Sequence, residues 1–202
     1  IDLEILDMLV TAAPAVTTDY WSARIGDEYD STTNTFVPTA ANRTAYVKST
    51  WFQTLGNKIQ KVSNKIHQLT LRGGANFLVC SPEVANLLEF TAGFKASVLA
   101  DETKGGSAGV NKVGNISKKW DVYVAADFLR NVILVGRKGS SFLESGFVYA
   151  PYVPLQVTPT IFGQDDFVPR KGVMTRYAKK MVRPDMYGLV IVRGLLGESG
   201  GV

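Results

Sequence analysis

Reactive side chains are scarce in this chain, which has one cysteine, Cys80, and one histidine, His67. A lone cysteine cannot close a disulfide within the chain, as suits a protein built in a reducing cytoplasm. Zinc sites of the Cys/His type are excluded by the same count. A Ser-His-Asp or Cys-His arrangement would need a second chain to contribute, because Cys80 and His67 lie in unrelated elements. No apolar run approaches the ~20 residues that span a bilayer, so no membrane partner is expected. No positively charged start with an apolar core marks a secretory signal. The glycine-rich KGGSAGVNK (104–112) lacks the Gly-Lys-Ser/Thr ending of a phosphate-binding loop, and no G-x-G-x-x-G follows a strand. Asp101-Glu102 and Asp165-Asp166 are adjacent carboxylates in loops. Cation ligands need spacing and convergence, so these read as solvated acids. Neither catalytic residues nor a cofactor or metal site are expected, and the chain reads as a non-enzyme.

The two rare residues themselves have ordinary roles to fill. Cys80 ends the apolar run Phe77-Leu78-Val79-Cys80 and is expected to be a small buried hydrophobe. His67 falls in the last turn of a helix beside Lys65, where a helix-dipole or solvated role is expected. With 46% apolar and 20% charged residues, the composition is that of a folded protein, and 202 residues suffice for one good core or two small ones. The chain does not begin with Met but opens on IDLEILDMLV, already in helical register. The expectation is that an N-terminal portion is missing.

The net charge of +4 conceals an uneven layout. Residues 1–30 hold seven acids against one cation, Arg24, whereas residues 170–183 hold six cations and no acid. Ends of opposite sign can pair within one molecule or head to tail between copies, and such complementarity guides association more than it adds affinity. A nucleic-acid surface is the competing reading of the basic block. The block lacks interleaved aromatics for base stacking and does not lie on a helix.

Residues 1–10 fit the end of an amphipathic helix. From Pro14 to Asn42 the composition suggests a long loop or irregular short strands, with a domain crossing within it. The strongest helical signal spans 44–71, where Val47, Trp51, Leu55, Ile59, Val62, Ile66 and Leu69 recur at spacings of three and four. It ends at Arg72-Gly73-Gly74, a glycine stop, and would be roughly 40 Å long. Ala75–Cys80 reads as a buried strand. Ser81 and Pro82 read as the N-cap and first position of a short helix carrying Val84, Leu87, Leu88 and Phe90. Residues 101–119 read as a flexible excursion. WDVYVAADF (120–128) and NVILVG (131–136) read as a strand pair joined across Leu129-Arg130. Strands with a covering helix make a compact α+β unit.

Residues 146–196 are the unusual part. Three extended segments follow one another, with Pro151 and Pro154 in the first and a dense cluster of cations in the second. Along Lys171–Val182, one face would carry Val173, Thr175, Tyr177, Lys179 and Met181, the other Met174, Arg176, Ala178, Lys180 and Val182. A strand buried on one side shows one clean apolar face, and one buried on both is apolar throughout. This segment does neither. It suits a long ribbon partly covered by other chains, and equally a solvated edge hairpin.

GFVYAPYVPL, a loop ending in FVP, KGVMTRYAKKMV and RPDMYGLVIV, together with GGANFLVCSPEVANLLEF (73–90) upstream, resemble the major capsid proteins of T-even-like tailed bacteriophages. The resemblance covers most of residues 44–193. It implies the Hong Kong 97-type capsid fold, with its N-terminal arm and extended loop apparently absent here. Residues 1–40 would be the end of the peripheral domain's spine helix and a crossing segment, 41–160 the axial domain, and 161–202 the return strands of the peripheral domain. The implied function is self-assembly, in the host cytoplasm, into hexameric and possibly pentameric capsomers of an icosahedral virion head around double-stranded DNA. Partners would be copies of itself and other capsid or vertex proteins, with packaged DNA touched only non-specifically. A pentameric vertex paralogue is an alternative that the residues leave open, as is a basic nucleic-acid-binding module. Expected inter-subunit residues are Arg176, Lys179, Lys180 and Arg183 of the basic segment and, near the capsomer axis, Lys104 and Lys112.

Overall fold

The computed structural model describes residues 1–39, 48–91, 93–96, 110–126, 128, 131–141, 144–162 and 168–195. It is of mixed α+β class, as expected, and divides into two compact units: residues 1–146 with 183–202, and residues 147–182.

The larger unit is built on the long helix. Helix α1 spans Asp2–Ala12, followed by strands β1 (Thr18–Ser22), β2 (Asp27–Asp30) and β3 (Thr35–Pro38). Helix α2 spans Lys48–Thr70, about 34 Å at 1.5 Å per residue. After it come β4 (Phe77–Cys80), α3 (Pro82–Glu89), β5 (Phe94–Ala96), β6 (Val110–Ile116), β7 (Trp120–Ala125) and β8 (Val132–Gly136). The sheet is completed by β13 (Tyr187–Arg193), in the order β1-β13-β8-β4-β7-β6-β5. The pairs β1/β13 and β4/β7 are parallel, and the remaining pairs are antiparallel.

Trp51, Leu55, Ile59, Val62 and Ile66 of α2 are buried against the sheet, where they meet Leu78, Val122, Ile133, Val135 and Val190. These sheet positions alternate along each strand, as one face of a pleated sheet requires. Leu134, Val79 and Leu189, on the opposite parity, are buried too, so the central strands read as continuous apolar runs. Two tryptophans fasten β1 to α2. The Trp21 Nε1–H donates to Thr54 Oγ1 at 2.8 Å and the Trp51 Nε1–H to the Ser22 carbonyl at 2.9 Å. At Gly188 a Cβ would come within 2.5 Å of Val62 Cγ1 and 2.6 Å of the Thr17 carbonyl oxygen, so glycine there lets α2 and the Ala15–Thr17 turn approach β13. Among the described residues no helix is long and apolar enough to cross a membrane.

Several expectations are corrected. The helical stripe stops one position early, since Leu69 is 46% exposed, and residues 44–47 lie outside the described residues. The left-handed stop begins at Leu71 (φ +55°), with Gly73 (φ +117°) following. Phe90 is exposed rather than part of the packed face of α3. Ser81 occupies the N-cap position, but its hydroxyl makes no capping hydrogen bond. Strands β7 and β8 are not a pair: β4 lies between them, parallel to one and antiparallel to the other. The excursion expected over 101–119 ends in a strand, because β6 pairs with β7 through a turn in which Ser117 and Lys118 both have positive φ. Such turns favour Asn and Gly, and Ser-Lys gives no such signal. Residues 101–109 lie outside the described residues.

The smaller unit is a ribbon. Strand β9 (Phe147–Val157) pairs antiparallel with β12 (Val173–Met181), with register shifts on either side of Arg176. Between them, β10 (Ile161–Phe162) pairs with β11 (Pro169–Arg170).

Candidate interaction surface

Within the ribbon, cross-strand partners share a face. Lys179 stands opposite Tyr149, and Tyr177 opposite Pro151. The Tyr149 and Tyr177 rings lie 5.4 Å apart on this face. On the other face Lys180 stands opposite Val148 and Ala178 opposite Ala150, with Arg176 beyond them opposite Val153. Prolines are tolerated in β9 because a two-stranded ribbon leaves an outer edge free of ladder bonds.

No described residue of 147–182 is buried. Tyr152 (80% exposed), Leu155 (68%), Phe162 (63%) and Val173 (65%) stand open. Isolated two-stranded hairpins are marginal in water, and a large exposed apolar patch marks an interaction site. Exposure of this kind is common to a ribbon that other chains cover and to a solvated edge hairpin. The apolar groups sit on both faces, at odd and even positions alike.

The expected site residues separate. Arg176 and Lys180 share one exposed face, while Lys179 is half-buried on the other. Arg183 belongs to the larger unit, where its N–H donates to the Gly146 carbonyl at 3.0 Å. Among the described residues, Arg176, Lys180 and Arg183 have no ion-pair partner. Lys112 lies on β6 and engages Asp121 within the chain at 2.7 Å. The hydrogen bond to that carboxylate raises its pKa. Lys104 lies outside the described residues. Sequence reasoning concentrated on cations and missed Tyr152, Leu155, Ile161 and Phe162. For Tyr152 and Leu155 the signal was the apolar character of both parities in 147–157; Ile161 and Phe162 lie beyond that run.

No group of three or more His, Cys, Asp and Glu that could hold a metal ion occurs among the described residues. Asp101-Glu102 and Asp165-Asp166 lie outside them. A cleft of about 280 Å³ between α2 and the start of β1 is lined by Val16, Asp19, Lys61, Asn64 and Lys65. Nearby, Asp19 pairs with Lys58 at 2.9 Å. Cys80 is buried as expected, and burial pushes its thiol up to about 12. Burial disfavours the thiolate, which is the reactive form. Native protein at pH 8 should therefore resist iodoacetamide, and unfolding in urea should restore labelling of about one thiol per chain. Rapid native labelling would contradict the packing around β4.

Residues 1–197 match the family described as Gp23, major capsid protein Gp23. The major capsid protein of Salmonella phage ViI is 36% identical over 118 residues, covering 57% of this chain and 27% of that protein. That of Enterobacteria phage T4 is 34% identical over 136 residues, covering 62% of this chain and 25% of that protein. The chain thus spans about a quarter of the length of these curated relatives. A solved structure from Mycobacterium phage Che8 is 17% identical with a TM-score of 0.53, covering 94% of this chain and 57% of that one, and shares the fold.

Proposed function

Because the chain belongs to the Gp23 family of major capsid proteins, we propose that it is a shell-building subunit that self-associates through its ribbon into capsomers of a phage head. The observation that carries this reading is the ribbon itself, which has ladder hydrogen bonds, exposed apolar groups on both faces and no buried residue. Such an element gains its missing second layer from neighbouring subunits. Multivalency does the rest, since each contact is modest but every subunit makes several, and closed symmetry makes loss of one subunit costly.

In this reading the fold is of the Hong Kong 97 type, and the capsomers are hexamers, with pentamers at vertices. The protein resides in the virion after assembly in the host cytoplasm, touches other capsid proteins, and meets packaged DNA without sequence preference. Residues 41–160 form the axial domain, 161–202 the return strands of the peripheral domain, and 1–40 the end of its spine helix and a crossing segment. Arg176, Lys179, Lys180 and Arg183 meet acids of neighbours, and Lys104 lies near the capsomer axis. Lys112 contributes less there, because its charge is engaged by Asp121.

Negative-stain electron microscopy of the full chain across a range of salt tests the reading. The expected result is rings or shells. Lys179→Glu with Lys180→Glu should weaken assembly about tenfold at low salt and less at high salt, because surface charge effects are screened. Unchanged assembly of that variant at every salt would remove the basic segment from the interface. Uniform monomers of the parent chain that retain DNA would replace self-assembly with nucleic-acid binding.

A further inference from the structure

Helix α2 carries no acidic residue between Lys48 and Thr70. Its buried stripe, Trp51 to Ile66, faces the sheet. At 3.6 residues per turn, Gln53, Asn57, Asn64 and Gln68 fall within about 60° of one another on the opposite side, and all four amides are exposed. Lys61 and Lys65, also exposed, continue this face about 20° and 60° further round and lie about 6 Å apart along the axis. On the other flank the Lys119 ammonium donates to Gln60 Oε1 at 3.4 Å. The turn between β6 and β7 thereby sets two more exposed cations, Lys118 and Lys119, beside the helix. Among the described residues these four lysines have no ion-pair partner. Asp19, a carboxylate at the edge of this surface, is already held by Lys58 at 2.9 Å.

We propose that this face of α2, with the adjoining turn, binds the phosphate backbone of double-stranded DNA. The proposal rests on the reading above that the shell encloses DNA, and it names the surface that meets it. Ammonium and amide groups are the donors that phosphate oxygens accept from, and such contacts carry no sequence information. A duplex presents one negative charge per about 1.7 Å, so a face roughly 22 Å long from Gln53 to Gln68 finds phosphates in any register. A protein partner fits this face poorly. Interface cores are rich in aromatics and poor in Lys, and no apolar side chain is exposed on α2 between Gln53 and Gln68. The ribbon is the other basic surface, but its cations alternate with exposed Met174 and Val182, which suits a protein neighbour.

Fluorescence anisotropy of a labelled duplex, mixed with the full chain below its assembly concentration across a range of salt, tests this. For the parent, log affinity should fall against log salt with a slope of about −3, the release expected when three or four phosphates are neutralised. Lys61→Gln with Lys65→Gln and Lys119→Gln should weaken binding about tenfold or more at low salt and flatten the slope by about 2. Glutamine keeps a helix propensity close to that of lysine, and circular dichroism checks that the variant is folded. Arg176→Gln with Lys180→Gln on the ribbon is the control and should leave duplex affinity within about twofold. Binding that survives the α2 variant but is lost in the ribbon variant overturns the proposal. Polyglutamate bound as tightly as the duplex, through the same lysines, overturns it in favour of an acidic protein. A parent chain that assembles but binds no duplex at low salt overturns it and leaves the self-assembly reading standing. A parent that binds duplex through these lysines and never assembles upholds the surface and overturns self-assembly.

Discussion

Excision of residues 147–182, with Gly146 joined to Arg183 through a short glycine-serine link, should leave a folded body that no longer assembles. The ribbon leaves and re-enters the larger unit at one place, where the Arg183 N–H donates to the Gly146 carbonyl at 3.0 Å. The ends to be joined are therefore already hydrogen-bonded neighbours. None of the described residues removed is buried, so the hydrophobic core loses nothing. Surface changes away from the core usually stay within about 0.5 kcal/mol, and the excised body's urea midpoint should move little. Assembly, by contrast, should be abolished rather than reduced, because the element proposed to bridge subunits is gone. Urea unfolding of the excised chain checks the first half and sedimentation velocity the second. Retained rings would show that other surfaces join the subunits. Loss of cooperative unfolding would show that the ribbon supports the core.

Leu55→Ala should carry the largest effect on stability. Leu55 is fully buried in the N-terminal half of α2, within the cluster that includes Leu78, Val122, Ile133 and Val190. Truncating a buried leucine loses its transfer free energy and leaves a cavity, costing about 2–5 kcal/mol. Against a typical total of about 5–15 kcal/mol, that is a large share. Leu69→Ala on the same helix is the control. Leu69 is 46% exposed, and its loss should cost well under half as much. Urea unfolding at a protein concentration below assembly gives both values, provided the slope with denaturant is unchanged. Equal costs at the two positions would mean that the stripe of α2 faces the sheet differently.

That comparison also shows where sequence reading succeeded. The three-and-four spacing from Trp51 to Ile66 marked a single buried face, and the face is buried. Leu69 fit the same spacing, yet it lies where the helix runs out beyond its cover, and periodicity carries no information about where a neighbour ends. The strand at Phe77–Cys80 and the helix start at Pro82 were legible because their signals are local. The order of strands was not. The short connection at Leu129-Arg130 suggested a direct pair of β7 and β8, and nothing local in it signalled that β4 inserts between them. Of the candidate site, the mixed pattern along 171–182 was visible and its exposure was among the options considered. The exposed aromatics of β9 and β10 went unread, because an apolar residue in a strand pattern is ordinarily taken for core.

Strand β13 lies between β1 and β8 but is the last of the three to be synthesised. The Thr17 hydroxyl that donates to the Tyr187 carbonyl spans 170 residues of sequence. At about 5–20 residues per second, translation separates those partners by roughly ten to thirty seconds. Until then β1 and β8 each present an unfilled edge, and pairings of such long range form late. Helix α1, which rests against β13, also waits for its support. The ribbon is therefore synthesised before the sheet can close, and α1 gains its support only when the last strand inserts. A chain cut short before Tyr187 would carry a finished ribbon on an open sheet.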